Sequence, residues 1–571
     1  MHHKPVLDDR RHDLDALRAV AMLLGIALHV SLSLAPIPWA IQDTRQHSGF
    51  LYFFLAIHGF RMQLFFLISG YFTMMLYRKR GSIALLKQRA LRIVIPCLIG
   101  MATIVPLDNW IVARSIRLAS QSTASGVPLL VRAIRAGDKS QIADLVSQKT
   151  DLNKSDPQFR ITPVGWATLV GDAETVSLLI QNGAIPHIRT ALGNTPLHLA
   201  AELGHAEIAQ ILVDNGANIH AVDRAGVSVE KKTETRWDSV AEVAKTFQIE
   251  GLNADDVAEG RLAVREVLKK READPSFVAE STPDQDWLTR QRQAYVTWIE
   301  SDRFVVDVGL GPVQLFTSNH LHHLWFLWVL AAMVLGFSLV MWIGGRLGCH
   351  VPAGLPILSG WRFLWLIPIT FLPQLLMGVR FPLVGPDTPG GLIGLPHTLV
   401  YYSIFFGFGA IYYDKHDSEG EVGRRWWLLL PVGLLVGFPA ALFTLSNTVP
   451  NALIQVLYTW MVTFGLMGMF RALWKRESAW VRYVSDSAYW LYLMHLPFVF
   501  FLQELVREWP WPALVKFVFM NVVTVLVGLV TYEYCVRYTW IGLVLNGRRH
   551  RPLATNESPA TAPAATELSA G

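Results

Sequence analysis

The feature that most limits what this chain can fold into is a series of long apolar runs, interrupted once by a stretch, 113–319, of ordinary globular composition. About 20 consecutive apolar residues, wound as a helix, cross the ~30 Å hydrocarbon core of a bilayer. Runs of that kind fall near 16–35, 50–77, 91–110, 322–345, 361–379, 392–413, 426–446, 450–474, 484–504 and 513–536. The 571 residues are 52% hydrophobic and 17% charged, against about 25% charged in soluble domains. That balance argues against a purely soluble protein. The expected fold is all-α: a polytopic membrane protein of about ten transmembrane helices carrying one large inserted domain.

The formal charge of +5 would suit a nucleic-acid binder if the basic residues formed one patch. They gather instead at span ends, so membrane topology explains them and no nucleic-acid partner is expected. With the N-terminus inside, the inner ends receive Arg10, Arg11, Arg78, Lys79, Arg80, Lys87, Arg89, Arg92, Arg346, Arg362, Arg424, Arg425, Lys475, Arg476, Arg482, Arg548, Arg549 and Arg551. Short outer loops keep few, such as Arg45 and Arg380. This bias predicts cytoplasmic termini and, in a bacterial inner membrane, a periplasmic insertion. The polar opening MHHKPVLDDRRHDL and the long run after it read as a retained span rather than a signal peptide. Cys97, Cys349 and Cys535 form neither a disulfide framework nor a CxxC pair. The Ala-, Thr-, Pro- and Ser-rich end, 548–571, reads as a disordered cytoplasmic tail.

Inside the insertion, Thr162-Pro163 recurs as Thr195-Pro196, Gly171 as Gly204, and Asn182-Gly183-Ala184 as Asn215-Gly216-Ala217. The offset is 33 residues each time, and with TPLHLAAELGH in the best copy the pattern resembles ankyrin repeats, an α-solenoid. Thr and Pro open the first helix of each unit, Gly ends it, and Asn-Gly-Ala ends the second. An earlier copy is expected at 127–156, with Pro128 and Gly137-Asp138. The chain thus divides into a first membrane part, 1–112, repeats over 125–225 with a cap reaching 270, a connector, 271–319, and a second membrane part, 320–540. Ankyrin stacks present a concave face, so a protein partner is expected there.

Ionisable groups within spans are costly, and each is a functional candidate. Arg18 and His29 stand eleven residues apart in the first span, about three turns, so they share a helix face with a ~16 Å rise between them. Asp15 is placed to pair with Arg18. Arg89 and Arg92, three apart at the inner boundary, can grip phosphate. In the ninth span Ser485, Tyr489, Tyr492 and His495 form a polar stripe.

Arg18 with ten residues before His29, the RxxR of Arg89 and Arg92, FFLISGYF at 65–72 and SDSAYWLYLMHLP at 485–497 together resemble the membrane-bound acyltransferase-3 family. HHLWFLWVL at 322–330 and YYSIFFGFGA at 401–410 are similar, more narrowly, to its periplasmic glucan succinyltransferase branch. The likeness covers roughly 10–112 and 318–540; the ankyrin insertion departs from the family pattern. The resemblance implies a ten-span enzyme that moves an acyl group, succinyl or acetyl, from cytoplasmic acyl-CoA to a glycan hydroxyl across the membrane. Acyl-CoA would be a co-substrate, with no permanently bound cofactor and membrane lipid as the surroundings. Its phosphates would meet Arg89 and Arg92, with Arg18 nearby, and its thioester would reach His29 as general base. His495, Tyr489 and Tyr492 would orient that base or hold the oxyanion.

Plainer readings stand beside these. Arg18 is also placed to anchor its span, Arg89 and Arg92 to mark the inner side, and His495 to pack against tyrosine. His320, His322 and His323 diverge around a helix with no carboxylate at ligand spacing, so no metal is expected there and the outer interface suits them better. The ankyrin pattern accounts for His198 and His205 beside Glu202. Glu533 is expected to pair with Arg537, and tryptophans such as Trp325 to anchor at the interface. The alternatives in other classes are a transporter or flippase whose Arg18 and His29 line a path, and a non-enzymatic receptor sensing through the repeats.

Overall fold

A computed structural model describes residues 11–546 except 38, 122–126, 157–158, 191–192, 224–226, 248, 275–286, 300, 308–311, 318–320, 349–355, 380–382 and 475–477. The expected tail at 548–571, and His320, lie outside the described residues. The first membrane part contains α1 (His12–Leu34), α2 (Ser48–His58), α3 (Arg61–Arg89) and α4 (Ile95–Gln121). Asp13 and Asp15 occupy the first turn of α1, where carboxylates favour the helix dipole. Gly59 and Phe60 break α2 from α3, and Gly81, at φ 76°, bends α3. Residues Ala90–Val94 wind as a single π-helical turn between α3 and α4.

The insertion begins with three helix pairs: α5 (Leu129–Ala136) with α6 (Lys139–Ser147), α7 (Pro163–Leu169) with α8 (Ala173–Gln181), and α9 (Pro196–Leu203) with α10 (Ala206–Asp214). The 33-residue period is visible in the caps. Thr162 Oγ1 accepts from the Gly165 N–H at 3.2 Å, and Thr195 with His198 forms a capping box. Gly137, Gly171 and Gly204 all take positive φ where the first helix of each pair ends. Asn182 and Asn215 each donate to a carbonyl four residues back, at 2.8 Å. One apolar core runs through the pairs, including Leu130, Val164, Trp166, Leu179, Leu197 and Leu212. Past α11 (Val229–Lys232) and α12 (Trp237–Phe247), the longer α13 (Ala254–Glu272) closes the stack. Its Gly260 packs directly on Gly204, and Arg261 donates to the Glu202 carbonyl at 2.6 and 2.9 Å.

The return to the membrane runs through α14 (Trp287–Ile299) and a small antiparallel hairpin, β1 (Val305–Asp307) with β2 (Pro312–Gln314). The second membrane part comprises α15 (Trp325–Leu347), α16 (Phe363–Gln374), α17 (Pro396–Asp414), α18 (Trp426–Val432), α19 (Phe438–Phe443), α20 (Thr448–Leu473), α21 (Ala479–Val506), α22 (Ala513–Thr531) and α23 (Trp540–Asn546). Among the described residues seven helical stretches are long and apolar enough to cross a bilayer. One of them, Ser48–Ser115, runs for 68 residues and merges the expected second and third spans. The expected span 361–379 forms only the twelve residues of α16, which carries Pro368 and Pro373 and at ~18 Å falls short of the hydrocarbon thickness. The expected span 392–413 forms the 19-residue α17, whose tyrosines, His397 and Thr398 keep it outside the seven. The protein is therefore an all-α polytopic membrane protein with an ankyrin insertion.

Close packing of the bundle relies on small residues. Gly70 of α3 meets the Phe406 carbonyl of α17, and Gly409 meets the Leu67 carbonyl, so that a Cβ at either site would collide with backbone. In lipid, where apolar burial adds little between helices, such close approach is a main source of attraction. Gln63 faces Tyr401, Phe66 faces Tyr402, and Arg78 pairs with Asp414 at 2.6 Å, so the two helices run side by side in the same direction. On the same logic α1 runs along α21, from Arg18 beside Ser485 to the His29 carbonyl beside Gln503.

Candidate functional site

The apolar sequence around His29 makes α1 helical and buries it, while α21 lies along the face that carries Arg18 and His29. Arg18 Nη2 donates to Ser485 Oγ at 2.7 Å and lies 3.5 Å from Asp15, the pairing expected from their spacing. Three turns further on, the His29 ring stands 5.2 Å from the His495 ring and 6.2 Å from that of Trp39, centroid to centroid. The Trp39 indole donates to Gln503 Oε1, and Gln503 Nε2 donates to the His29 carbonyl, at 3.1 and 2.9 Å. The loop after α1 is thereby folded back over the histidine.

His323 completes a group of three imidazoles: its ring lies 5.0 Å from that of His495 and 5.5 Å from that of Tyr492. The sequence explains why. Pro497 has no N–H, so the Leu493 carbonyl, four residues earlier in α21, has no helical donor. His323 Nε2 supplies the missing hydrogen bond at 3.1 Å, which leaves its Nδ1 as an acceptor. His495 Nδ1 donates to the Tyr492 carbonyl at 2.7 Å, leaving Nε2 as an acceptor. His323 Nδ1, His495 Nε2 and His29 Nδ1 are all buried without a hydrogen-bond partner among the described residues. Three partnerless ring nitrogens in one group of imidazoles inside an apolar bundle are costly unless they serve a ligand or a proton. Asp108 of α4 approaches from the other side, its Oδ2 3.6 Å from His322 Nδ1 and 4.0 Å from His323 Nδ1. Sequence spacing finds no carboxylate for these histidines; the fold brings one from more than 200 residues away.

Tyr492 does not point at His29 through its hydroxyl, which instead donates to the His323 carbonyl. Tyr489 donates to the Arg92 carbonyl, tying α21 to the π turn. That turn changes the expected relation of Arg89 and Arg92, because a π turn takes more residues than an α turn and three-residue spacing no longer gives one face. Arg89 turns into the bundle and donates to Thr73 Oγ1 at 3.2 Å, with its Nε unpartnered, while Arg92 stays half-buried. The charges of Arg18 and Arg92 both act on Arg89, so three guanidiniums gather at one end of the interior.

The remaining candidates take structural places. Trp325 is buried against Phe66 and Tyr402, inside the core rather than at an interface. Glu533 pairs with Arg537 at 2.8 Å, as expected. In the insertion, His198 Nδ1 accepts from the Thr195 N–H at 3.2 Å and Nε2 faces the Val227 carbonyl at 3.3 Å, while Glu202 lies 3.6 Å from Lys232. Burial lowers the His198 pKa to about 4 and holds the ring neutral in its capping role. Arg61, Asp108, Trp39 and Gln503 escape a reading by local spacing. For Arg61 and Asp108 the available signal is an ionisable residue inside an apolar run.

A helical membrane bundle with imidazoles grouped in its interior and guanidiniums at one end defines a polytopic membrane protein with a polar interior site. An acyltransferase-domain family profile matches residues 11–126 and 289–533, well over half of the chain, and a profile for ankyrin repeats matches three copies over 130–223. The chain belongs to the acyltransferase-3 family, and membership supports a membrane acyltransferase. Among curated proteins it is similar to glucans biosynthesis protein C of Shigella dysenteriae serotype 1, with 41% identity over 103 residues, 18% of this chain and 26% of that protein. The proteins of the same name from Escherichia coli K12 and strain SMS-3-5 are 40% identical over the same fractions. The aligned stretch thus spans about a quarter of the length of these relatives.

Proposed function

We propose that this protein is an inner-membrane O-acyltransferase that moves an acyl group from acyl-CoA, on the cytoplasmic side, to a hydroxyl of a periplasmic or envelope glycan. The observation that carries the reading is the pair of neighbouring imidazoles, His29 and His495, each with a buried ring nitrogen that has no partner among the described residues. In this reading the polyanionic carrier stays at the end marked by Arg18, Arg89 and Arg92. The thioester reaches inward by about the ~16 Å rise from Arg18 to His29. His29 takes the proton of the acceptor hydroxyl as its oxygen attacks the acyl carbon. His495 shapes the pocket beside it, and Tyr492 fixes α21 against His323. Trp39, a flat ring over His29, suits contact with a sugar face. The repeats lie in the periplasm and hold a protein partner or present the acceptor.

The test is a His29→Ala protein in lipid nanodiscs. It should keep its fold and its affinity for CoA while ester formation on the glycan, read by mass spectrometry, falls at least 100-fold. Retained acylation would remove His29 from the mechanism. Movement of label across the bilayer without a new ester would make the protein a transporter.

A further inference from the structure

Arg61 is a charged group that this mechanism leaves unused. It is the first residue of α3, just after the break at Gly59–Phe60. Its guanidinium lies against Gly25 of α1, where any Cβ would collide with Arg61 Nη1. Gly25 precedes His29 by four residues and so lies one turn away on the same helix face. The charge acts directly on His29, His495 and Tyr492. Arg61 nevertheless makes no hydrogen bond or ion pair with any described residue, and its Nε is buried and unpartnered.

Other buried cations of this bundle are treated differently. Lys516 pairs with Asp43 at 2.8 Å and also donates to the Arg507 carbonyl. Arg362 donates to the carbonyls of Leu358, Ser359 and Val422. Withdrawing a permanent cation from water costs several kcal/mol unless a counter-charge meets it. A fold that supplies partners at these sites and none at Arg61, and clears Gly25 to admit it, keeps that guanidinium free for a negative charge that arises there. Beside a base that removes a proton from an attacking hydroxyl, such a charge develops on the acyl carbonyl oxygen.

We propose that Arg61 is a further catalytic residue, whose guanidinium stabilises the oxyanion formed at the acyl carbonyl; the proposal rests on the acyl-transfer reading above. As the acceptor oxygen bonds to the acyl carbon, its proton passes to His29 and the carbonyl π pair moves onto oxygen, opposite Arg61. Collapse re-forms the carbonyl and breaks the C–S bond, and the departing thiolate takes the proton from His29. Charge is neutral overall, and no oxidant or metal is consumed.

The experiment uses the full chain in nanodiscs, with Arg61→Met, Arg61→Lys and His29→Ala beside the wild type. The donors are acetyl-CoA, whose acyl group is neutral, and succinyl-CoA, whose acyl group bears a carboxylate, with a soluble glucan as acceptor. Arg61→Met should melt at or above the wild-type temperature, since no native partner is lost. Its kcat should fall on the order of 100- to 1,000-fold with both donors while KM changes about threefold or less, and Arg61→Lys should recover part of the loss. A lowered melting temperature for Arg61→Met would make the residue structural, and a loss confined to succinyl-CoA would assign it to the acyl carboxylate; either overturns the proposal. So would full activity of Arg61→Met where His29→Ala is inactive, and that result would leave the acyl-transfer reading intact. No ester formation by the wild type from any acyl-CoA overturns both.

Discussion

Single residues decide the chemistry here through the partners they are denied as much as those they have. Pro497 frees the Leu493 carbonyl, His323 fills the gap, and the tautomer of His323 follows. Pro497→Ala would restore the helical N–H and remove the reason for that bond. Its expected outcome is a bundle of equal or higher melting temperature with acyl transfer reduced on the order of 10- to 100-fold by misplacement of the imidazoles, read by paired thermal-melt and turnover measurements. Arg89 offers a separate test. Its Nε is unpartnered and, among the described residues, its side chain bonds only Thr73, so Arg89→Gln should weaken acyl-CoA binding by about 10-fold or more, the value of one charge-assisted hydrogen bond. Isothermal titration with CoA checks it, and unchanged affinity would return Arg89 to the role of a topological marker. Arg18 and His29 were legible from an eleven-residue interval, because a helix converts spacing into direction. Arg61 and Asp108 were not, because their meaning depends on which groups other helices bring, or fail to bring, beside them.

Among the elements, the ankyrin pairs are where sequence and structure agree most closely. The Thr-Pro starts, glycine ends and Asn-Gly-Ala stops all act through contacts within one repeat, so a 33-residue offset suffices to read them. Gly204 combines two demands, a φ of 76° and a Cβ position 2.7 Å from the Val257 carbonyl of α13. Gly204→Val should therefore cost about 2–4 kcal/mol and detach the closing helix, seen as new protease cleavage within 254–272. His198 gives the stack a pH dependence. Its folded pKa of about 4 lies below the ordinary ~6.5, so the neutral ring's contribution is complete above pH 6.5 and is lost as pH falls toward 4. The loss should approach about 3 kcal/mol at the acid end, and hydrogen exchange of the 196–214 amides between pH 7 and 4.5 should accelerate accordingly, far less so in His198→Asn. In the membrane part the elements are less local. The π turn at Ala90–Val94 and the brevity of α16 follow from proline placement and neighbouring helices, which is why the RxxR pair does not share one face and ten apolar runs do not become ten uniform spans.

For the molecule as a whole, the insertion enters between α4 and α14 while α1, α3, α17 and α21 meet elsewhere in the chain. The site therefore owes its geometry to helices on both sides of the interruption and to none of the repeats. Gly204→Val should leave acyl transfer to a soluble glucan within about threefold of the wild type; a larger loss would tie the stack to turnover itself. The sequence alone determined the all-α membrane class, the repeat architecture and the Arg18 to His29 axis, because hydrophobic length and helical period are properties of a few turns. Only the tertiary structure decided which imidazoles meet, that Asp108 reaches His322 and His323, and that Arg61 has no partner among the described residues. Those facts depend on contacts between residues far apart in the chain, and no local pattern encodes the distance between two helices.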